Sequence, residues 1–109
     1  MSHLSTHVLD TTNGRPASGV AVTLTDVHGT VVATGTTDAD GRIGDLGPDR
    51  LEPGEWTITF ATGAYWSALD TMAFHPRAVV VFTVSEEPVV HLHVPLLLSP
   101  FAHSTYRGS

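Results

Sequence analysis

The residues best suited to chemistry are two histidines that stand two positions apart in an apolar segment. His91 and His93 fall within residues 89–99, where valine or leucine occupies every second position. In a β-strand, side chains at i and i+2 point to the same side, about 6–7 Å apart. The two imidazoles are therefore predicted to share the face opposite the apolar one, which is free for a ligand or an interface.

Three interpretations of this pair stay open on spacing alone. Two histidines on an exposed sheet face are often merely solvated. A His-x-His strand joined by a third histidine, here His7, is typical of a catalytic zinc site whose ligands would be His7, His91 and His93. Imidazoles that titrate near neutral pH also serve metal-free acid–base catalysis.

Two further residues are candidates for the same surface. His7 alternates with Leu4, Thr6 and Val8, so it points away from the predicted core. Arg42 follows an acidic turn, where it either pairs with neighbouring aspartates or uses its planar guanidinium to bind a carbonyl or an anion. The remaining histidines are predicted to be loop residues without a catalytic role: His3, His28, His75 and His103.

The elements that must position these residues are strands, because the apolar period is two rather than 3.6. A continuous apolar run at Ala78–Val84 predicts a strand that is covered on both faces. The one helical candidate is 64–72, and residues 27–30 predict a tight hairpin. Seven or eight short strands at this spacing predict an all-β sandwich; the candidate strands are Leu4–Asp10, 20–27, 30–36, 55–62, Ala78–Val84 and 89–99.

Composition narrows the class of protein. A chain of 109 residues predicts a single domain, 1–109, and the absence of cysteine excludes disulfides and thiolate chemistry. A net charge of -6 with only five cationic residues argues against nucleic acid and against an anionic membrane. The N-terminal residues lack the pattern of a secretory signal, so a cytoplasmic location is expected. Charged residues make up only 15%, which predicts that some surface is buried again in an oligomer.

Three motifs resemble one known family over essentially the whole chain. They are Leu4–Asp10 with the following Gly-Arg-Pro-Ala, the Thr-Asp-Ala-Asp-Gly-Arg of 37–42, and 91–100 with its continuation 104–109. Together they resemble the hydroxyisourate hydrolase branch of the transthyretin-like proteins. The terminal Tyr-Arg-Gly-Ser marks the hydrolase branch. Two positions depart from the family pattern, His103 in place of a frequent tyrosine and Leu92 in place of a frequent aromatic residue.

The resemblance implies a fold, an assembly and a reaction. The fold is a transthyretin-like β-sandwich of two four-stranded sheets with one short helix, and four copies form a homotetramer with active sites in a channel. The reaction is hydrolysis of 5-hydroxyisourate to 2-oxo-4-hydroxy-4-carboxy-5-ureidoimidazoline in urate degradation, with no metal and no cofactor.

The resemblance also assigns the site residues. The implied catalytic residues are His7, Arg42 and His93, and the implied substrate-binding residues are His7, Arg42, Tyr106, Arg107, Gly108 and Ser109. His7 and His93 would activate water, and which of the two is the base stays open. Arg42 would bind the ring carbonyls, Tyr106 would position the substrate, and Ser109 would bind it or orient an imidazole. The rival hypotheses are a transthyretin-type carrier of a small ligand and the zinc hydrolase described above.

Overall fold

Alternating apolar residues divide the chain between two β-sheets that pack face to face. The structure, a computed structural model, describes residues 3–86 and 91–108. Its elements are β1 (Leu4–Asp10), β2 (Arg15–Pro16), β3 (Ala21–Thr25), β4 (Val31–Thr36), β5 (Arg42–Ile43), β6 (Gly54–Phe60), α1 (Thr62–Ala68), β7 (Ala78–Val84), β8 (Leu92–Ser99) and β9 (Ala102–Thr105). The predicted all-β sandwich with one short helix is confirmed.

Each sheet follows a four-strand path. One sheet has the order β2-β1-β8-β9 and the other has the order β4-β3-β6-β7. The two-residue strand β5 lies outside the first path and pairs with β1, which gives that sheet a fifth member. The predicted hairpin at 27–30 joins β3 to β4.

The core lies between the inner faces of the two sheets, where the apolar alternate residues meet. Burial of each such side chain contributes about 1.5–3 kcal/mol to folding. The fully buried members on the two sheets include Leu4, Val8, Leu96 and Leu98 from one and Val22, Leu24, Ile58 and Phe60 from the other. Because this core fixes β1 against β8, it also fixes the outer faces of those two strands.

Strand β1 is the centre of the arrangement that matters for function. It runs parallel to β8, from the pair Leu4 and Leu92 to the pair Asp10 and Leu98. On its other side it runs antiparallel to β5. Residues far apart in the chain therefore become neighbours on one outer face.

The sequence-based bounds of several elements differ from the structure, most clearly at the helix and at the start of the last predicted strand. The helix spans Thr62–Ala68 rather than the predicted 64–72. It ends early because the backbone N–H groups of Asp70 and Thr71 donate to the carbonyl oxygens of Ser67 and Trp66, respectively, which closes the last turn. Asp70 has a φ of 54°, a left-handed conformation that ends the helix. The last predicted strand begins at Leu92, and residues 89 and 90 lie outside the described residues.

One prediction about burial is not met in the single chain. Strand β7 is an edge strand, and its outer face is open in the single chain, where Val79 and Val81 are 52% and 59% exposed. An unbroken apolar run does not reveal which face is inside. His3, predicted to be a loop residue, precedes β1 and is buried, and its Nδ1 accepts the backbone N–H of Leu51 at 3.1 Å.

The described part of the chain contains no helix with the length and apolar character needed to cross a bilayer.

Candidate active site

His7 lies at the centre of β1 and points away from the core. It is half-buried, whereas its neighbours Thr6 and Val8 are buried. Its Nε2 lies 2.9 Å from the backbone carbonyl oxygen of Asp40. Since a carbonyl oxygen only accepts, Nε2 carries the hydrogen and donates it. A neutral His7 therefore has its lone pair on Nδ1, the nitrogen that remains for a proton or a ligand.

The acidic turn that precedes Arg42 holds this residue beside His7. One carboxylate oxygen of Asp38 accepts the backbone N–H groups of Asp40 at 2.9 Å and of Arg42 at 3.0 Å. The N–H of Arg42 contributes most to lowering the pKa of the Asp38 carboxyl, and the positive charges of Arg42 and His7 lower it further. Gly41 has a φ of 74° and packs closely against β1. A Cβ added at Gly41 would collide with the backbone of β1. The turn therefore ends with Arg42 directly opposite His7 in the β1–β5 pair.

His93 lies on the other flank of β1, opposite Ser5 in the parallel pair with β8. Its Nδ1 is 2.8 Å from the hydroxyl of Ser5, and that hydroxyl is 2.7 Å from Nε2 of His91. Burial lowers the pKa of His93, and the positive charges of His7, Arg42 and His91 lower it further. The structure thus favours the neutral imidazole of His93, the form that accepts a proton.

Two cavities meet at His93. A cleft of about 390 Å³ is lined by Ser5, Thr6, Arg42, Ile43, Gly44, His91 and His93. A second cavity of about 320 Å³ is lined by Val80, Val81, Phe82, Thr83, Leu92, His93, Val94, Thr105, Tyr106 and Arg107. The predicted site residues are therefore divided: Arg42 faces one cavity, Tyr106 and Arg107 face the other, and His93 belongs to both.

The C-terminal tail packs directly on His93. The N–H of Gly108 donates to the carbonyl oxygen of His93 at 2.8 Å. An added Cβ at Gly108 would lie 2.5 Å from Cδ2 of the His93 ring, so only glycine permits this approach. Tyr106 remains 56% exposed in the single chain. Ser109, predicted to bind substrate, lies outside the described residues.

The three histidines do not form the predicted zinc ligand set. Across residues 3–86 and 91–108, no three His, Asp or Glu side chains converge as ligands of one metal ion. Instead, His91 and His93 each have one ring nitrogen hydrogen-bonded to the hydroxyl of Ser5. The geometry therefore favours hydrogen-bonded imidazoles over a three-histidine metal centre.

A wider cleft lies elsewhere, along α1 and the loop that follows it. Its volume is about 560 Å³, and its lining is Gly63, Ser67, Asp70, Thr71, Met72, Ala73, Phe74, His75 and Pro76. None of the predicted catalytic residues borders it. Volume alone would thus point away from His7, Arg42 and His93.

Ser5 is the residue that the sequence-based prediction missed. The alternation of β1 does place Ser5 on the same face as His7, which is the signal available from the sequence. Its contact with His93 depends on the parallel pairing of β1 with β8, which joins residues 88 positions apart. The local sequence pattern carries no information on how β1 and β8 are aligned.

Comparison with known proteins identifies the family of this fold and site. The model of the HIUase/Transthyretin family matches residues 4–108, which include every strand and the helix. The chain belongs to the HIUase/Transthyretin family.

Several relatives in the family carry the name of one enzyme. A mouse 5-hydroxyisourate hydrolase is 41% identical over 99% of this chain and 96% of its own length. A 5-hydroxyisourate hydrolase of Salmonella typhi is 44% identical over 97% of this chain and 80% of its own length.

Solved structures of the family include two kinds of protein. The 5-hydroxyisourate hydrolase of Klebsiella pneumoniae superposes with a TM-score of 0.90 at 38% identity, covering 99% of this chain and 100% of its own. A sea bream transthyretin in complex with thyroxine superposes with a TM-score of 0.91 at 36% identity, covering 97% of this chain and 94% of its own. Since the backbones fit equally well, fold alone does not separate a hydrolase from a carrier within this family.

Proposed function

We propose that this protein hydrolyses 5-hydroxyisourate in urate degradation. The observation that carries the proposal is the convergence of His7, Arg42 and His93 on the outer face of the sheet formed by β5, β1 and β8, with His93 and Arg42 on one cleft. Family membership and the names of its relatives support the choice of substrate. Water adds to a ring carbonyl, the ring C–N bond breaks, and the released nitrogen takes up a proton to give 2-oxo-4-hydroxy-4-carboxy-5-ureidoimidazoline.

The two histidines supply the proton chemistry. His93 acts in its neutral form and takes a proton from water as the oxygen attacks, because a base must be unprotonated at the working pH. His7 orients the same water by accepting its hydrogen bond at the Nδ1 left free by the bond to Asp40, and the proton taken up by His93 then passes to the leaving nitrogen.

Arg42 and the tail supply binding. The guanidinium of Arg42 donates parallel hydrogen bonds to the ring carbonyls and stabilises the charge that develops on oxygen during attack. Tyr106 and Arg107 hold the substrate from the other side of His93, and Gly108 and Ser109 contribute further substrate contacts. No metal and no cofactor take part in this mechanism.

The main rival is a carrier of a small ligand, because a thyroxine-bound transthyretin has the same backbone. A carrier needs an apolar channel, whereas the cleft of this protein contains two histidines and an arginine. These polar groups are more useful for turning over a polar ring than for holding an apolar one.

The test is the lifetime of the unstable substrate. Urate oxidase converts urate to 5-hydroxyisourate in the cuvette, and the decay of that transient is followed by absorbance with and without the protein. We expect the protein to accelerate the decay catalytically, also after treatment with a chelator. Unchanged decay together with tight binding of a thyroxine-like ligand would identify a carrier, and activity lost on chelation would favour a metal enzyme.

We further propose that four copies assemble into the active protein. The exposed Val79 and Val81 on edge strand β7 provide apolar surface for such contacts, and both cavities at His93 are open in the single chain. Sedimentation equilibrium should give a mass four times the 11.6 kDa of one chain. A monomer with full activity would refute the assembly. The cytoplasmic location stays a prediction.

A further inference from the structure

Ser5 lies between two imidazoles in the wall of the cleft. Its hydroxyl is 2.7 Å from Nε2 of His91 and 2.8 Å from Nδ1 of His93. The side chain is buried on β1, with 8% of the residue exposed. Because a hydroxyl has one hydrogen, it donates to one imidazole and accepts from the other when both rings are neutral. The three side chains therefore form a chain of hydrogen bonds with a direction.

The direction of this chain decides what His93 presents to the cleft. In one direction, Nδ1–H of His93 donates to Ser5, and the Ser5 hydroxyl donates to His91. Nε2 of His93 then has a free lone pair and accepts a proton without any change in the chain. In the other direction, Ser5 donates to Nδ1, so Nε2 carries the hydrogen and is unable to act as a base.

We propose that Ser5 is a positioning residue that, together with His91, holds His93 with Nε2 unprotonated and facing the cleft. The proposal rests on the proposed hydrolysis, because only a general base requires this direction of the chain. Ser5 itself does not touch the substrate, since its hydroxyl is occupied by the two rings. The same arrangement of a base oriented through its second ring nitrogen supports many acid–base sites.

The first test compares two variants of Ser5. Ser5→Ala removes the hydroxyl, and we expect kcat to fall about tenfold with little change in KM, the size of effect that one lost hydrogen bond has. Ser5→Thr keeps a hydroxyl on a β-strand and should restore most of kcat. Wild-type kcat in Ser5→Ala, or equal losses in both variants, would overturn the proposal.

A matched control removes a hydroxyl from the same strand pair away from the histidines. Thr11 follows β1, and its hydroxyl donates to the carbonyl oxygen of Leu98 on β8 at 2.7 Å. Thr11→Ala should lose stability without changing kcat or the pH profile. A loss of kcat equal to that of Ser5→Ala would mean that any weakening of the β1–β8 pair slows the enzyme, which would overturn a specific role for Ser5.

The pH profile separates positioning from a structural role. In the proposed direction Ser5 accepts a hydrogen bond from the His93 ring, and this bond favours the protonated form. Loss of the hydroxyl should therefore move the acidic limb of kcat/KM to lower pH. Among the described residues, the other charged or titratable groups around His93 are His7, Arg42 and His91, with Tyr106 and Arg107 on the adjoining cavity, and the Ser5 variants leave all of them unsubstituted. An unmoved limb would overturn the proposal.

A double-mutant cycle tests the contribution of His91. If His91 acts only through Ser5, then Ser5→Ala combined with His91→Ala should be about as slow as Ser5→Ala alone. Multiplied losses in the double variant would show that His91 acts independently, which contradicts a single chain.

A measurement that does not depend on turnover allows the role of Ser5 to be tested independently of the proposed function. Nitrogen-15 chemical shifts of histidine rings distinguish the two neutral tautomers, and His93→Gln assigns the signal. We expect the hydrogen of neutral His93 on Nδ1 in the wild-type protein, and Nε2–H would overturn the proposal. Failure of the wild-type protein to accelerate the decay of 5-hydroxyisourate would reject the proposed function instead, whatever the tautomer.

Discussion

Replacement of Gly108 by alanine tests whether the C-terminal tail holds His93 in its working position. The backbone N–H of Gly108 donates to the carbonyl of His93 at 2.8 Å, and the residue packs on the edge of the imidazole ring. An added Cβ would lie 2.5 Å from Cδ2 and 3.2 Å from Cγ of that ring. Carbon atoms in contact are separated by about 3.5–4.0 Å, so the tail or the ring must move by about 1 Å.

The size of the effect depends on which part moves. If the tail moves, the hydrogen bond to His93 is lost, and it contributes about 0.5–1.5 kcal/mol. If the ring moves, its 2.8 Å contact with Ser5 is broken. A displacement of about 1 Å at a catalytic group slows a reaction by about 100-fold. We therefore expect kcat/KM of Gly108→Ala to fall by about 2–100-fold, with the larger loss if the ring moves, and the free energy of unfolding to fall by no more than about 1.5 kcal/mol.

The assay is the enzyme-dependent decay of 5-hydroxyisourate, with thermal unfolding measured on the same samples. Gly44 provides the control: it also borders the cleft, but an added Cβ there meets no atom within 4 Å. Gly44→Ala should retain kcat/KM to within about twofold, well inside the energy of one hydrogen bond. If Gly108→Ala is as active as Gly44→Ala, the tail does not position His93 and the reasoning fails.

Three further outcomes follow from the same structure. Arg42→Lys should lower kcat/KM by about 10–100-fold at unchanged stability, because an ammonium lacks the planar fork of a guanidinium; near-normal turnover would remove Arg42 from the mechanism. The lowered pKa of His93 should place the acidic limb of kcat/KM below the ordinary value of 6.5. The free energy of unfolding should also fall as the pH drops below 6.5, because His93 then binds a proton in the unfolded chain before it does so in the folded chain. An acidic limb above pH 6.5 would contradict the lowered pKa of His93. Tyr65→Phe should lower the free energy of unfolding by about 1.5–3 kcal/mol in urea titrations, because the hydroxyl donates to the buried Asp10 carboxylate at 2.7 Å. Activity per folded molecule should stay constant, and a loss below about 0.5 kcal/mol would show that this bond is replaceable.

The faces of the strands were predictable from the sequence because alternation is a local property. Leu96 and Leu98 were expected in the core and are buried, whereas His93 and His7 were expected outside and lie there half-buried. The acidic turn before Arg42 was equally visible, since its Asp and Gly residues have strong local preferences. Such features depend only on a few neighbouring residues.

The partners of these faces were not predictable, because they depend on tertiary pairing. Nothing local tells that β1 runs parallel to β8 with Ser5 opposite His93. For the same reason, the division of Arg42 and Tyr106 between two cavities came only with the structure. The exposure of Val79 escaped prediction because an unbroken apolar run gives no sign of an edge.

The core and the candidate site are coupled through the register of β1. A slip of one residue would turn Leu4 and Val8 outward and His7 and Ser5 inward, because side chains alternate between faces. Exposure of the two apolar side chains alone would cost about 3–6 kcal/mol, so the slipped register would be populated below about 1%. The same apolar contacts that hold the sandwich together thus set the distances between Ser5, His7 and their partners. Activity should therefore be lost with the global unfolding of the sandwich rather than through an earlier local shift of β1.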